Sequence, residues 1–146
     1  MRKFWGVIII VSTMVCFVSI VKHEQNKNII MLVNEYEFVN EIIVQYSDGL
    51  TENLQIDSDK TVNEIKERLA PVNIKNGIFG NRAGELELVA TLNCCMDNTE
   101  LFNVNLYKNS TSTNDAKILA FFENLFYIEI DSVQSADLLL LIGCAS

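Results

Sequence analysis

Residues 86–106, LELVATLNCCMDNTELFNVNL, decide the fold class. Leu86, Leu88, Ala90, Leu92 and Cys94 alternate with Glu87, Val89, Thr91 and Asn93. A period of two marks a strand with one face more buried than the other. Asp97-Asn98 then supplies residues that tolerate positive φ in a tight turn. Phe102, Val104 and Leu106 return as the partner strand. The result is an antiparallel hairpin, whose apolar face needs a second layer to cover it.

The flanks supply that layer. Upstream, Tyr36, Phe38, Ile42, Val44 and Tyr46 share one face of an expected strand, Asp48-Gly49 turns the chain, and Leu50, Leu54 and Ile56 continue as the returning strand. DSDKTVNEIKERLAP follows, where Asp59 or Thr61 can cap a helix and Glu64 completes a capping box. Val62, Ile65 and Leu69 form its apolar stripe, and Pro71 stops it. The earlier run IIMLV (29–33) suits a helix or a strand equally. Downstream, NSTSTND (109–115) reads as a polar loop. A second helix is expected over 115–125 with Ile118, Leu119, Phe122 and Leu125 inward, then strands at 127–130 and 138–142. The last has no polar alternation, as in a strand covered on both faces. The expected class is α+β, a small mixed or antiparallel sheet packed against two helices in the order ββαββαββ.

A transmembrane or signal helix is expected ahead of this domain. Residues 4–21, FWGVIIIVSTMVCFVSIV, carry no charge and follow Arg2 and Lys3. Eighteen residues of helix reach about 27 Å, close to the thickness of a bilayer's hydrocarbon. The basic start favours an amino terminus in the cytoplasm and the rest outside. No small-x-small pair ends the stretch, so an uncleaved signal-anchor is preferred to a cleaved signal peptide and secretion. Val15 before Cys16 and Val11 after Gly6 argue against lipoprotein and pilin-like leaders. Residues 1–22 are thus read as the anchor, 23–35 as a stalk and 36–146 as one exported domain.

After residue 22 the chain carries 8 basic and 19 acidic side chains, a balance of −11. Such a domain repels phosphate backbones, which argues against nucleic-acid binding. The one histidine, His23, sits in the stalk, away from any Ser-His-Asp or Cys-His arrangement. Cys16, Cys94, Cys95 and Cys144 lack zinc-ligand spacing. Outside the cell, Cys144 could form a disulfide with Cys94 or Cys95. Neighbours in a strand face opposite ways, and Cys94 shares its face with Leu92, so Cys94–Cys144 is the expected pair. Three reduced, mostly buried thiols are the alternative. Asp57 and Asp59 lack the glycine and distal glutamate of a calcium loop. Gly77, Gly80 and Gly84 match no phosphate-binding fingerprint. Asn109-Ser110-Thr111 has the form of a glycosylation acceptor at Asn109.

IIVQYSDG, LTENLQI and SDKTVNEIKERL, spanning Glu41 to Leu69, resemble the opening of a ubiquitin-like β-grasp domain. Thr61, Val62, Ile65, Lys66 and Leu69 match that family's first helix, and Ile78-Phe79-Gly80 its next strand. The resemblance implies a sheet gripping a helix and a protein-interaction module. The chain ends Gly143-Cys144-Ala145-Ser146 without a diglycine, so conjugation is not implied. No cofactor is implied either. The functional expectation is a non-enzymatic domain, held at a membrane and acting on an unknown protein partner. The alternative is a secreted or surface hydrolase using paired carboxylates.

Overall fold

The computed structural model describes residues 27–76, 86–109 and 117–144. Residues 4–21, His23, Gly77, Gly80, Gly84 and the Ser110-Thr111 part of the acceptor lie outside them. Helix α1 covers 27–36, followed by β1 (Glu41–Tyr46), β2 (Leu54–Ile56), α2 (Asp59–Arg68), β3 (Lys75–Asn76), β4 (Leu86–Met96), β5 (Thr99–Asn109), β6 (Ile118–Phe122), β7 (Phe126–Ile130) and α3 (Ser132–Leu141). The strands form one sheet in the order β2-β1-β4-β5-β6-β7-β3, with every neighbouring pair antiparallel. The fold is α+β, as expected, and three helices accompany the sheet. Among the described residues no helix is long and apolar enough to cross a bilayer.

The quoted hairpin forms the centre. Asp97 and Asn98 are its two loop residues, with φ of 49° and 68°, the positive pair that matches a hairpin's natural twist. Bulges between Leu88 and Ala90, and between Cys94 and Cys95, interrupt the register. The first corrects the expected face. Ala90 lies opposite Leu106 on the inner side, whereas Leu88 lies opposite Tyr107 on the outer side. One extra residue in a bulge moves everything beyond it to the opposite face.

The core fills the space between the sheet's inner side and the helices. Ile42, Val44, Ala90, Leu92, Cys94, Phe102, Val104, Leu106, Ile118, Ala120 and Phe122 supply the sheet side. Val62, Ile65 and Leu69 come from α2 and its end, Leu138 and Ile142 from α3 and its end. The helix expected from Asp59 or Thr61 is α2, but its N-cap is Ser58, which makes no side-chain cap bond. The returning strand is β2, in register Ile42↔Ile56 and Val44↔Leu54. In the turn before it, Gly49 takes φ +69°, and the Asp48 carboxylate accepts from the amides of Leu50 (3.0 Å) and Thr51 (2.9 Å).

Three expectations are corrected. The run at 29–33 is helical, and this described part of the expected stalk packs into the domain. Leu32 and Tyr36 are buried, with Ile29 and Val33 packed beside them, the i, i+3, i+4, i+7 pattern of a core-facing helix. Tyr36 therefore ends α1 rather than opening a strand, and Phe38 is exposed. The helix expected over 115–125 is β6 in its described part. Ile118, Ala120 and Phe122 are buried while Leu119 and Phe121 point outward, so both periods of a strand are apolar and mimic a helix. The strand expected at 138–142 is the end of α3. Its N-cap is Asp131, whose carboxylate accepts from the Gln134 amide at 2.8 Å. Asp-x-x-Gln is the capping pattern that announces this helix.

Candidate functional site

Alternation along β5, β6 and β7 sends Tyr107, Phe121 and Tyr127 to the side of the sheet opposite the helices. Phe121 and Tyr127 are cross-strand partners. Their rings stack at 4.9 Å and 19°, and Tyr107 meets Phe121 edge-on at 5.2 Å. The three rings stand together as an aromatic ridge, each of them half-buried.

Beside the ridge lies a polar strip. Asn93 pairs with Asn103 and Thr91 with Asn105 across β4 and β5. The Thr91 hydroxyl donates to Asn105 Oδ1 at 2.9 Å. The Asn103 side-chain oxygen is buried and has no partner among the described residues. Desolvated acceptors of this kind gain most from an incoming donor.

At the far end of the ridge, Asn73, Lys75, Lys117, Glu129 and Asp131 line a depression of about 290 Å³. Lys75 lies opposite Tyr127 in the β3–β7 ladder. Lys75 Nζ is 3.0 Å and Lys117 Nζ 3.4 Å from the two Glu129 oxygens. The Lys75 hydrogen bond, helped by Lys117, holds the Glu129 carboxyl below its ordinary range, and the same bond raises Lys75. Asp131 is engaged as the α3 cap. A hydrolase with paired carboxylates needs one of them held protonated. Asp48, the other carboxyl with a shifted pKa, is also lowered, by its bonds to Thr51 and Leu50.

Cys94, Cys95 and Cys144 are free thiols. Cys94 is on the inner side opposite Ile42 and Phe102, and burial pushes its thiol far up. Cys144 follows α3 beside Tyr46 and Asp48, and burial raises its thiol too. Ile42 and Tyr46 are four residues apart on β1, about 13 Å at a strand's rise, too far for a bridge between these cysteines. The expected Cys94–Cys144 bond is not present in this structure. Cys95 is buried on the other side of β4, its Sγ 3.6 Å from the Asn93 carbonyl. No cluster of three or more His, Cys, Asp or Glu suited to a metal occurs among the described residues. Asn109 ends β5, its amide bonded to the Lys117 carbonyl at 3.3 Å.

A helix over 115–125 leaves Phe121 without its cross-strand partner Tyr127, whose strand is expected at 127–130. The signal that could have revealed them is the repeated aromatic pair, Phe121-Phe122 followed by Phe126-Tyr127, which puts one ring on each side of two successive strands. The ββα unit of the ubiquitin-like resemblance is present as β1, β2 and α2, at one end of a much wider sheet. No family model, curated protein or solved structure matches the chain.

Proposed function

We propose that the chain is a membrane-held, non-catalytic domain that works through protein contacts made by the open face of its sheet. The anchor is the uncharged segment at 4–21, with the amino terminus in the cytoplasm and the domain outside. The observation that carries the contact reading is the Tyr107–Phe121–Tyr127 ridge, on the side that no helix among the described residues covers. Tyrosines in a standing cluster are favoured interface anchors, because they bring large apolar area at low entropic cost. At the end of the ridge Lys75 and Lys117 are paired with Glu129, which makes a charge-balanced polar rim. The matching partner has an apolar centre and a polar edge.

A photo-crosslinking phenylalanine analogue at Phe121, in the full chain in native membranes, tests this. One discrete adduct, identified as one protein and absent when the analogue replaces exposed Lys60 on α2, supports it. Equal labelling from both positions, or none from Phe121, overturns it. Alkaline extraction with protease protection tests the anchor separately.

A further inference from the structure

The helical side of the molecule has its own uncovered surface. α1 buries Ile29, Leu32, Val33 and Tyr36 against the core, and turns Lys27, Ile30, Met31 and Asn34 outward. Ile30 is 60% and Met31 51% exposed, and Phe38, just past the helix, is 60% exposed. A helix turn that is apolar all round needs cover on both sides. The core covers one side only.

α1 is also rigidly seated, so its outward side chains have a fixed direction. The Tyr36 hydroxyl donates to the Lys66 carbonyl of α2. Lys66 Nζ donates to the carbonyls of Glu37 (3.0 Å) and Val39 (3.1 Å), and sits 5.9 Å from the centre of the Tyr36 ring.

We infer that the outward side of α1, with Ile30 and Met31, and exposed Phe38 just past its end, rest in the headgroup layer of the bilayer that holds segment 4–21. This builds on the membrane-held reading. Its basis is chain length: Val21 ends the uncharged segment, and Ile30 lies nine positions later. Nine residues span about 14 Å as helix and at most about 31 Å extended. Ile30 therefore cannot travel far from the membrane surface. The intervening KHEQNKN (22–28) is polar, as a headgroup crossing requires. Interfacial helices sink apolar side chains about 5–10 Å into this layer, with cations alongside. Lys27, on the same outward side, supplies the cation. The geometry then turns the sheet's open face, on the opposite side of the molecule, away from the lipid.

The test uses the full chain in phosphatidylcholine–phosphatidylglycerol vesicles, with part of the phosphatidylcholine dibrominated as a quencher. Trp5 is the only tryptophan, so Trp5→Phe gives a dark background. Into it go Met31→Trp, Phe38→Trp and, on the open face, Leu88→Trp. Flotation reports anchoring independently. Floating protein that loses about half its emission from positions 31 and 38, but none from 88, supports the inference. Floating protein with positions 31 and 38 unquenched overturns it and leaves the anchor standing. So do crosslinks between the α1 helices of two copies with no quenching. Protein that fails to float overturns both readings.

Discussion

Phe121 and Phe122 are neighbours on β6 and meet opposite fates. Phe122 has no exposed surface, and its ring stacks on Phe126 at 4.7 Å beneath the helices. Phe121 stands half-buried among Tyr107 and Tyr127 with no helix above it. One residue step separates a side chain that holds the fold together from one free to meet something else. The helix side is satisfied through volume, by aliphatic and aromatic groups filling space. The open side is satisfied through pairing, by rings against rings, amides against hydroxyls and lysines against Glu129.

The sharpest way to break this contrast is to truncate both rings. Phe122→Ala should cost about 3–5 kcal/mol, by lost burial and a cavity. Phe121→Ala should cost about 1–2 kcal/mol, since the ring gives up mainly its aromatic neighbours. Urea midpoints of the two variants decide the matter, and equal losses would mean the open face is as much core as the other. With the crosslinking analogue moved to Tyr127, Phe121's partner in the ridge, Phe121→Ala should also abolish the partner adduct, whereas Phe122→Ala, in any population that still folds, should not.

Ser135 is the one buried polar residue on the helix side among the described residues. Its hydroxyl accepts from the Ile118 amide (2.9 Å) and donates to the Ile130 carbonyl (3.0 Å), joining α3 to β6 and β7. Ser135→Ala leaves both backbone groups buried and unpaired, and should cost about 1–3 kcal/mol in the same unfolding assay. A neutral result would show that water reaches this layer.

The thiols give a chemical version of the comparison. Cys94 should resist a maleimide until the protein unfolds, and partly covered Cys144 should react first. Because burial raises the Cys144 thiol, its labelling rate should keep climbing about tenfold per pH unit past pH 9 rather than levelling off there. A plateau below pH 9 would contradict the burial.

The smallest effect belongs to Glu129, more than a third exposed and paired with two lysines. Its folded-state carboxyl is lowered, so it stabilises the fold above the ordinary carboxyl range, and this is lost as pH falls through its folded value. Glu129→Gln should therefore cost less than about 1 kcal/mol at pH 7, because solvent screens the pairs. The difference from the parent should vanish at strongly acid pH. A cost that persists there would assign Glu129 a packing role instead.

The central hairpin and the β1–β2–α2 unit were legible in the sequence, because alternation, a loop with two turn residues and an i, i+3, i+7 stripe are local signals. The bulge after Leu88 was not, since nothing local marks where a register slips. β6 was misread because Leu119 and Phe121 are apolar on the solvent side, which erases the strand's period. α3 was misread because LLLLI fits a strand as well as a helix, and only Asp131 with Gln134 tells them apart. The ridge was invisible for the same reason as β6. Its members come from three strands, and they become neighbours only when pairing is known.

One contact bears on the order in which this molecule can assemble. The Tyr46 hydroxyl on β1 donates to the Ile142 carbonyl at 2.7 Å, across 96 positions of chain. A side chain at Gly143, φ +79°, would meet that hydroxyl at 2.9 Å. β1 is synthesised early, yet its hydroxyl finds its acceptor only once the residues after α3 have emerged. Until then Leu138 and Ile142 are missing, and part of the sheet's inner surface lies bare. Such long-range closure slows folding and leaves a sticky intermediate. That interval is when a holding chaperone would have its longest opportunity to act.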